Sequence, residues 1–368
     1  MKIALVHDDL VQSGGAEKLF KTIAEIFPKA PIYTSLVNRQ GLTLHGDIAR
    51  RDLLARIKTS FIQKIPLASK LYKALLPLYP LAFESFNFDK YDVVISSTTR
   101  FAKAIITKPK TIHICYINSV PRFLWDDQIQ KQYLSHIARI FLRPYFVWLR
   151  RWDLAASSRV DLYVSNSKNI QNQVKKIYKR ESTVIYPYIN TDYFIPSKSK
   201  KQDYFLVVTR LVKWKKIEIA IMTAIELNKK LVIVGDGPDR PRLERITNSN
   251  PNIFFTGKIS DARLKLYLQF AECFIVTQEE DFGISAVEAQ ACGTPVIAYK
   301  KGGQGETIIG NKTGLFFEDQ NTKSLKDALK RFSKVKWSKE ACRKNSLRFT
   351  KERFKQGFKA QVLEYAKQ

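Results

Sequence analysis

The chain has 368 residues, beyond the ~250–300 at which a single hydrophobic core stops growing, so two domains are expected. Its 45% hydrophobic and 26% charged residues suit a packed globular protein, and no run approaches the ~18 apolar residues of a membrane-spanning helix. The formal net charge of +28 calls for an anionic partner, whether polyanion, membrane or substrate; no zinc finger, RNP-type strand or helix-turn-helix signature accompanies it, which argues against specific nucleic-acid binding.

In chain order, Ile3–Val6 reads as a first strand, too brief before His7, Asp8 and Asp9 for a signal-peptide core, and the protein is expected in the cytoplasm. A helix follows from about Ala16 to Phe27, then strands at Val93–Ser96, Thr111–Ile114 and Asp161–Ser165. The second half repeats the alternation more cleanly: strands at Tyr204–Val208, Leu231–Val234, Ile253–Phe255, Cys273–Val276 and Pro295–Ala298, with helices near 217–227 and 284–291. Strand–helix alternation predicts α/β units whose parallel sheets are covered on both faces. Pro196–Gln202 is polar, basic and without apolar periodicity, so the domain boundary is placed there. The four cysteines, Cys115, Cys273, Cys292 and Cys342, are widely spaced and suggest neither a disulfide framework nor a metal site.

Two stretches of the first half combine basic and apolar residues. Between Arg50 and Leu81, Leu53, Leu54, Ile57, Phe61, Ile65, Leu71, Leu75 and Leu78 interleave with Arg50, Arg51, Arg56, Lys58, Lys64, Lys70 and Lys73, with breaks at Pro66 and Pro77. The second runs from Arg139 to Trp152. Either these are helices on the sheet with solvated cations outside, or they dock on anionic lipid.

The most informative stretch is Glu279–Ala298, EEDFGISAVEAQACGTPVIA. A strand ends near Thr277, a glycine loop follows, and a helix from about Gly283 is stopped by Gly293 and Pro295. The helix therefore starts at the carboxyl edge of a parallel sheet, where open α/β sheets bind ligands and where free amides suit phosphate or sugar oxygens. Glu280 on the loop and Glu288 within the helix offer acceptors for a polyhydroxylated ligand. Arg210 and Lys215, in the basic loop after the strand 204–208, suit a diphosphate. Gly14 and Gly15 open a helix and allow backbone approach to an anion. Gly235-Asp236-Gly237 is not a dinucleotide fingerprint, since Arg240 stands where the third glycine belongs.

Glu280-x7-Glu288 in this setting resembles the signature of the retaining glycosyltransferase family four, and SGGAEKL, VIYPYINTDYF, TRLVKWKK, LVIVGDGP and GGQGET extend the resemblance along the chain. It implies the GT-B architecture, two Rossmann-like domains with parallel sheets facing a central cleft. The divisions are 1–195 for the acceptor, 196–350 for the nucleotide sugar, and a helix at 351–368 packing back toward the N-terminal domain. By the same resemblance Glu280 contacts donor-sugar hydroxyls, Glu288 the ribose, and the amides of Phe282, Gly283 and Ile284 the sugar and phosphate. Gly14 and Gly15 close over the donor phosphates, while Arg210 and Lys215 hold the diphosphate without a metal or other cofactor.

The segment His113–Asp126 is similar to one in the O-antigen-type mannosyltransferases of the family, with Asn118-Ser119 replacing the usual His-Thr. Asn118 can hydrogen-bond a sugar but cannot exchange a proton near neutral pH. Arg122, Trp125 and Asp126 are candidate acceptor or sugar contacts, and His113 reads as a strand histidine. The expected reaction moves a hexose, mannose from GDP-mannose first, to a glycolipid or polyprenyl-diphosphate-linked saccharide at the inner face of the cell membrane. The alternatives are a soluble acceptor with a UDP- or ADP-sugar, or a non-catalytic nucleotide-sugar-binding protein.

Overall fold

The computed structural model describes residues 1–12, 14–38, 51–72 and 74–367. Ser13 of the predicted glycine loop and Arg50 and Lys73 of the predicted amphipathic stretch lie outside the described residues. The chain forms two compact units, Met1–Tyr186 with Phe354–Gln368, and Pro187–Arg353.

The first unit is built on β1 (Ile3–His7), β2 (Ile32–Thr34), β3 (Ile57–Thr59), β4 (Val93–Thr98), β5 (Ile112–Ile117), β6 (Leu162–Ser165) and β7 (Ser182–Val184), in the order β3-β2-β1-β4-β5-β6-β7. Each neighbouring pair is parallel. The order reverses between β1 and β4, which opens a crevice at their carboxyl ends. β4 is buried along its whole length, as expected for a central strand covered on both faces. The helix Gly15–Ile26 returns the chain by burying Leu19, Phe20, Ile23 and Ala24 on one stripe.

The second unit repeats the plan with β8 (Phe205–Val208), β9 (Leu231–Val234), β10 (Ile253–Gly257), β11 (Cys273–Val276), β12 (Val296–Tyr299) and β13 (Gly314–Phe317), all parallel, in the order β10-β9-β8-β11-β12-β13. Its reversal falls between β8 and β11. This sets the loop carrying Arg210 and Lys215 beside the loop carrying Glu280.

Two expectations change in position. The chain passes between units at Tyr186–Pro187 rather than at 195–196, because residues 189–201 are tied to the second unit. Ile189 N–H donates to the Phe349 carbonyl at 3.0 Å, Arg343 to that of Phe194 at 2.8 Å, and Gln269 to that of Ile195 at 2.8 Å. The supposed linker is held too, with Lys201 Nζ on the Gln269 carbonyl. At the other end the helix Lys351–Tyr365 joins the first unit from Phe354 onward, where Phe354 and Phe358 meet Tyr116 of β5 edge-on at 5.8 and 5.7 Å.

The basic stretch expected over 50–81 does not form one continuous element among its described residues. It breaks into a turn of helix at Arg51–Ala55, β3, and short helical pieces at Phe61–Lys64, Ala68–Leu71, Leu76–Leu78 and Tyr79–Glu84. Prolines 66, 77 and 80 each lack the amide a continuous helix needs. Arg56 turns inward and donates to the carbonyls of Ala30 and Phe27, closing the end of the Gly15–Ile26 helix.

Candidate active site

In the second unit β8 gives way to residues 209–212, which the glycine loop after β9 braces from behind. A Cβ on Gly235 would lie 1.9 Å from the Thr209 carbonyl oxygen, and one on Gly237 would lie 2.2 Å from that of Leu211. The two backbones therefore touch directly, with Leu211 N–H on the Asp236 carbonyl at 3.1 Å. Arg210, between the braced residues, is exposed and forms no ion pair among the described residues. Its guanidinium is available to an anion.

The chain then makes a tight turn at Lys213–Lys215 and enters the helix Ile217–Glu226 through Lys216, at φ 52°. Lys215 is buried. Its ammonium pairs with Glu280 Oε1 and lies 4.1 Å from the Trp214 ring centroid. Thr277, just past β11, donates its hydroxyl to the Lys215 carbonyl at 2.7 Å. Gln278 donates its amide to Glu280 Oε1 at 2.6 Å. The Glu280 carboxylate is thus fixed by a cation and an amide.

Behind Glu280 runs the loop after β12. Gly302 bridges to Glu280, and Gly303 N–H donates to the Glu280 carbonyl at 2.8 Å. Gly302 has φ +82°, and a Cβ there would stand 2.3 Å from that same oxygen. Gly283, at φ 96°, starts the helix Ile284–Ala291 without a side-chain cap. In this helix only Ile284, Ser285 and Glu288 are not buried. The stripe on which Glu288 stands is therefore the one that begins at the uncapped amides. Phe282 contributes no side chain to the surface, since its ring packs edge-on against Phe349 at 5.3 Å.

At the corresponding edge of the first unit, the residues after β1 form a buried charged cluster. Asp8 accepts six hydrogen bonds of 2.6–3.0 Å, from the Thr98 hydroxyl, the Thr99 amide and hydroxyl, and the amides of Arg100, Phe101 and Ala102. Burial works against its charge, yet Arg100, His7 and the Thr99 and Ala102 amides hold its carboxyl below the ordinary value. Asp9 pairs with Arg100 through Oδ2, while its Oδ1 is buried without a partner. Burial raises its pKa above the ordinary carboxylate value, against the pull of Arg100. Glu17, also raised by burial, accepts the Gly14 amide at 2.8 Å. The Gly14 amide is thus taken by Glu17 of its own helix.

Asn118 follows β5 on the same edge. Its Nδ2 donates to Ser97 Oγ at 3.1 Å and to the Thr98 carbonyl at 3.4 Å, while Asn166 donates to the Asn118 carbonyl at 2.7 Å. The side-chain amide is bound to the end of β4. His113 lies fully buried within β5, hydrogen-bonded to Ser96, and burial pushes it down to about 3. It is a neutral strand histidine.

Trp125 and Asp126, expected to touch sugar or acceptor, are each held by hydrogen bonds within the fold. Trp125 Nε1 donates to Asp153 at 2.8 Å, beside Tyr178 and the fully buried ammonium of Lys103, and Asp126 caps the helix Asp127–Tyr133. Sequence reasoning missed Trp214, Thr277 and Gln278, which fix Lys215 and Glu280. It also missed Asp8, Asp9 and Arg100, whose only signal was a run of ionisable residues just past the first strand. Among the described residues no group of three His, Cys, Asp or Glu side chains could hold a metal ion, and no helix is long and apolar enough to cross a membrane.

Residues 188–349, which span nearly the whole second unit, match the family model described as glycosyl transferases group 1. Over these residues, a little under half of the chain, it resembles the group 1 glycosyltransferases. The chain is 29% identical over 177 residues to an uncharacterized glycosyltransferase, MJ1178, of Methanocaldococcus jannaschii, a match covering 47% of the chain and half of that relative's length. It is 21% identical to the alpha-1,3/1,6-mannosyltransferase ALG2 of Dictyostelium discoideum, over 91% of this chain and 89% of the relative. Among solved structures it resembles sucrose-phosphate synthase from Thermosynechococcus elongatus, with a TM-score of 0.75, 17% identity and 99% of each chain covered. Its fold is GT-B, as the two parallel-sheet units and this likeness show.

Proposed function

We propose that this glycosyltransferase transfers mannose from GDP-mannose, with retention, to a membrane-associated glycolipid or polyprenyl-diphosphate-linked saccharide. The observation that carries the reading is the Lys215–Glu280 pair beside the exposed Arg210 at the β8/β11 reversal. Glu280, fixed by Lys215 and Gln278, accepts hydrogen bonds from hydroxyls of the donor sugar, and Glu288 accepts them from those of the ribose. The diphosphate lies on the amides of Gly283 and Ile284, with Arg210 and Lys215 as its counter-charges. These cations meet the charge that develops as the bond from the anomeric carbon to the diphosphate oxygen breaks. The acceptor oxygen bonds to that carbon on the same face, and its proton passes to the departing phosphate oxygen. No metal or cofactor is required by this scheme.

The choice of mannose is supported by the likeness to the mannosyltransferase ALG2, and the membrane-borne acceptor by the basic and apolar residues that the first unit exposes on the helix His136–Ser157. A thermal-shift series with GDP-, UDP- and ADP-sugars tests the donor: GDP-mannose at ~100 times its dissociation constant should stabilise by about 2.7 kcal/mol. A shift with UDP-glucose and none with GDP-mannose would overturn the donor assignment. No shift or hydrolysis with any donor would favour a non-catalytic protein.

A further inference from the structure

The helix His136–Ser157 of the first unit is apolar on its solvent side as well as on its packed side. Tyr145, Phe146, Leu149 and Trp152 join the core of the unit. Facing outward, Ile137, Ile140, Phe141, Val147 and Trp148 recur at three-, four- and seven-residue steps, which places them on one stripe. Ile137 is 67% exposed, Phe141 78% and Trp148 50%. A contiguous apolar stripe of this kind marks a surface that is covered in use.

From Ser135 to Trp152 the chain carries Arg139, Arg143, Arg150 and Arg151 and no acid. Beside the stripe is a hollow of about 330 Å³ lined by Lys131, Arg139, Arg143 and Arg150 over Phe146 and Val147, with Asp127 its one carboxylate among the described residues. Arg150 already takes Asp127, at 2.9 Å. The Arg139 Nε is buried with no hydrogen-bond partner, a costly state for a charged donor unless an anionic oxygen completes it.

We propose that this face docks on an anionic phospholipid bilayer, the stripe lying at the boundary of headgroups and acyl chains and a lipid phosphate occupying the hollow against Arg139 and Arg143. Arginine forks match phosphate oxygens, and a tryptophan beside basic residues suits that boundary. A second copy of the chain is the poorer occupant, since a symmetric contact would bring the same arginines together. The inference deepens the membrane part of the function proposed above and does not depend on donor identity.

The test sediments the full chain with phosphatidylcholine vesicles, with and without phosphatidylglycerol. Binding is expected only with the anionic lipid. Arg139→Gln with Arg143→Gln should weaken it about 30-fold, two charges near the surface being removed. Phe141→Ser with Trp148→Ser should abolish it, together with tryptophan quenching by acyl-brominated lipid. Lys334→Gln with Lys336→Gln, the same charge loss on the second unit, should change it little. Equal weakening by the two charge pairs, wild-type binding by the Phe141/Trp148 variant, or a dimer in solution that this variant abolishes would each overturn the proposal. The GDP-mannose thermal shift on the same samples separates the two readings: an intact shift without vesicle binding sinks the docking face alone, and vesicle binding without any donor shift sinks the transferase scheme alone.

Discussion

Lys215 and Glu280, 65 positions apart, form an ion pair whose side chains are 10% and 21% exposed, across the ends of β8 and β11. The cation assigned to the departing diphosphate thereby holds the carboxylate assigned to the sugar. Lys215→Ala should lower kcat by about 10²–10³, the loss seen when a fixed group aimed at developing charge is removed. Glu280→Gln should lower it too, and the double variant should fall well short of the product of the two effects, because the residues act as a unit. Steady-state kinetics on the three variants measures this, and multiplicative losses would count against the coupling.

Arg210 offers a contrasting case. It is exposed and unpaired among the described residues, so Arg210→Ala should change stability by no more than about 0.5 kcal/mol. If it meets the diphosphate, kcat/KM should fall at least tenfold, and Arg210→Lys should restore only part of it, because a point charge does not replace a two-pronged donor. Unfolding curves and kcat/KM on the same preparations decide between a ligand contact and a solvated loop.

How much of this was legible depends on the scale of each feature. Leu231–Val234 is an apolar run between turn residues, and Gly283 and Gly293 bracket Ile284–Ala291, so the second unit's elements stand close to where the pattern puts them. The three-residue strands β2, β3 and β7 show no period, and Ile57 of β3 reads as part of a basic amphipathic run until it pairs with Ile32. The Lys215–Glu280 pair depends on β8 and β11 being neighbours, which is a property of strand order. The hydrogen bonds of Trp125 to Asp153 and of Asp126 at a helix start depend on partners elsewhere in the fold or on the local turn, and spacing alone does not show them.

Gly235 and Gly302 should be intolerant of any side chain. Both have φ in the left-handed half of the map, and a Cβ would stand 1.9 Å from the Thr209 oxygen or 2.3 Å from that of Glu280. Gly235→Ala and Gly302→Ala should each cost about 1–3 kcal/mol in strain. Because the displaced backbones carry Arg210 and Glu280, each should also weaken donor binding. Gly305→Ala, where a Cβ meets nothing within 4 Å, is the neutral comparison in both denaturation and nucleotide titration.

Asp8 links the fold of the first unit to pH. Its folded-state carboxyl titrates below the ordinary value of 3.8, so its ionised form contributes stability that is present above that value and is lost as pH falls through the folded one. Asp8→Asn exchanges an acceptor of six hydrogen bonds for an amide that turns two donors on those same groups, at a cost of about 3 kcal/mol at pH 7. The wild-type advantage should shrink as the pH is taken below 4. Glu17 has the opposite sign: burial raises its folded value above 4.5, so its contribution is present below that pH and fades as pH rises through the folded value. Glu17→Gln, which keeps an acceptor for the Gly14 amide, should therefore compare better with wild type at pH 7 than at pH 4. Urea midpoints for the two variants across this range would show the curves diverging in opposite directions, and parallel curves would remove these carboxyls as the cause.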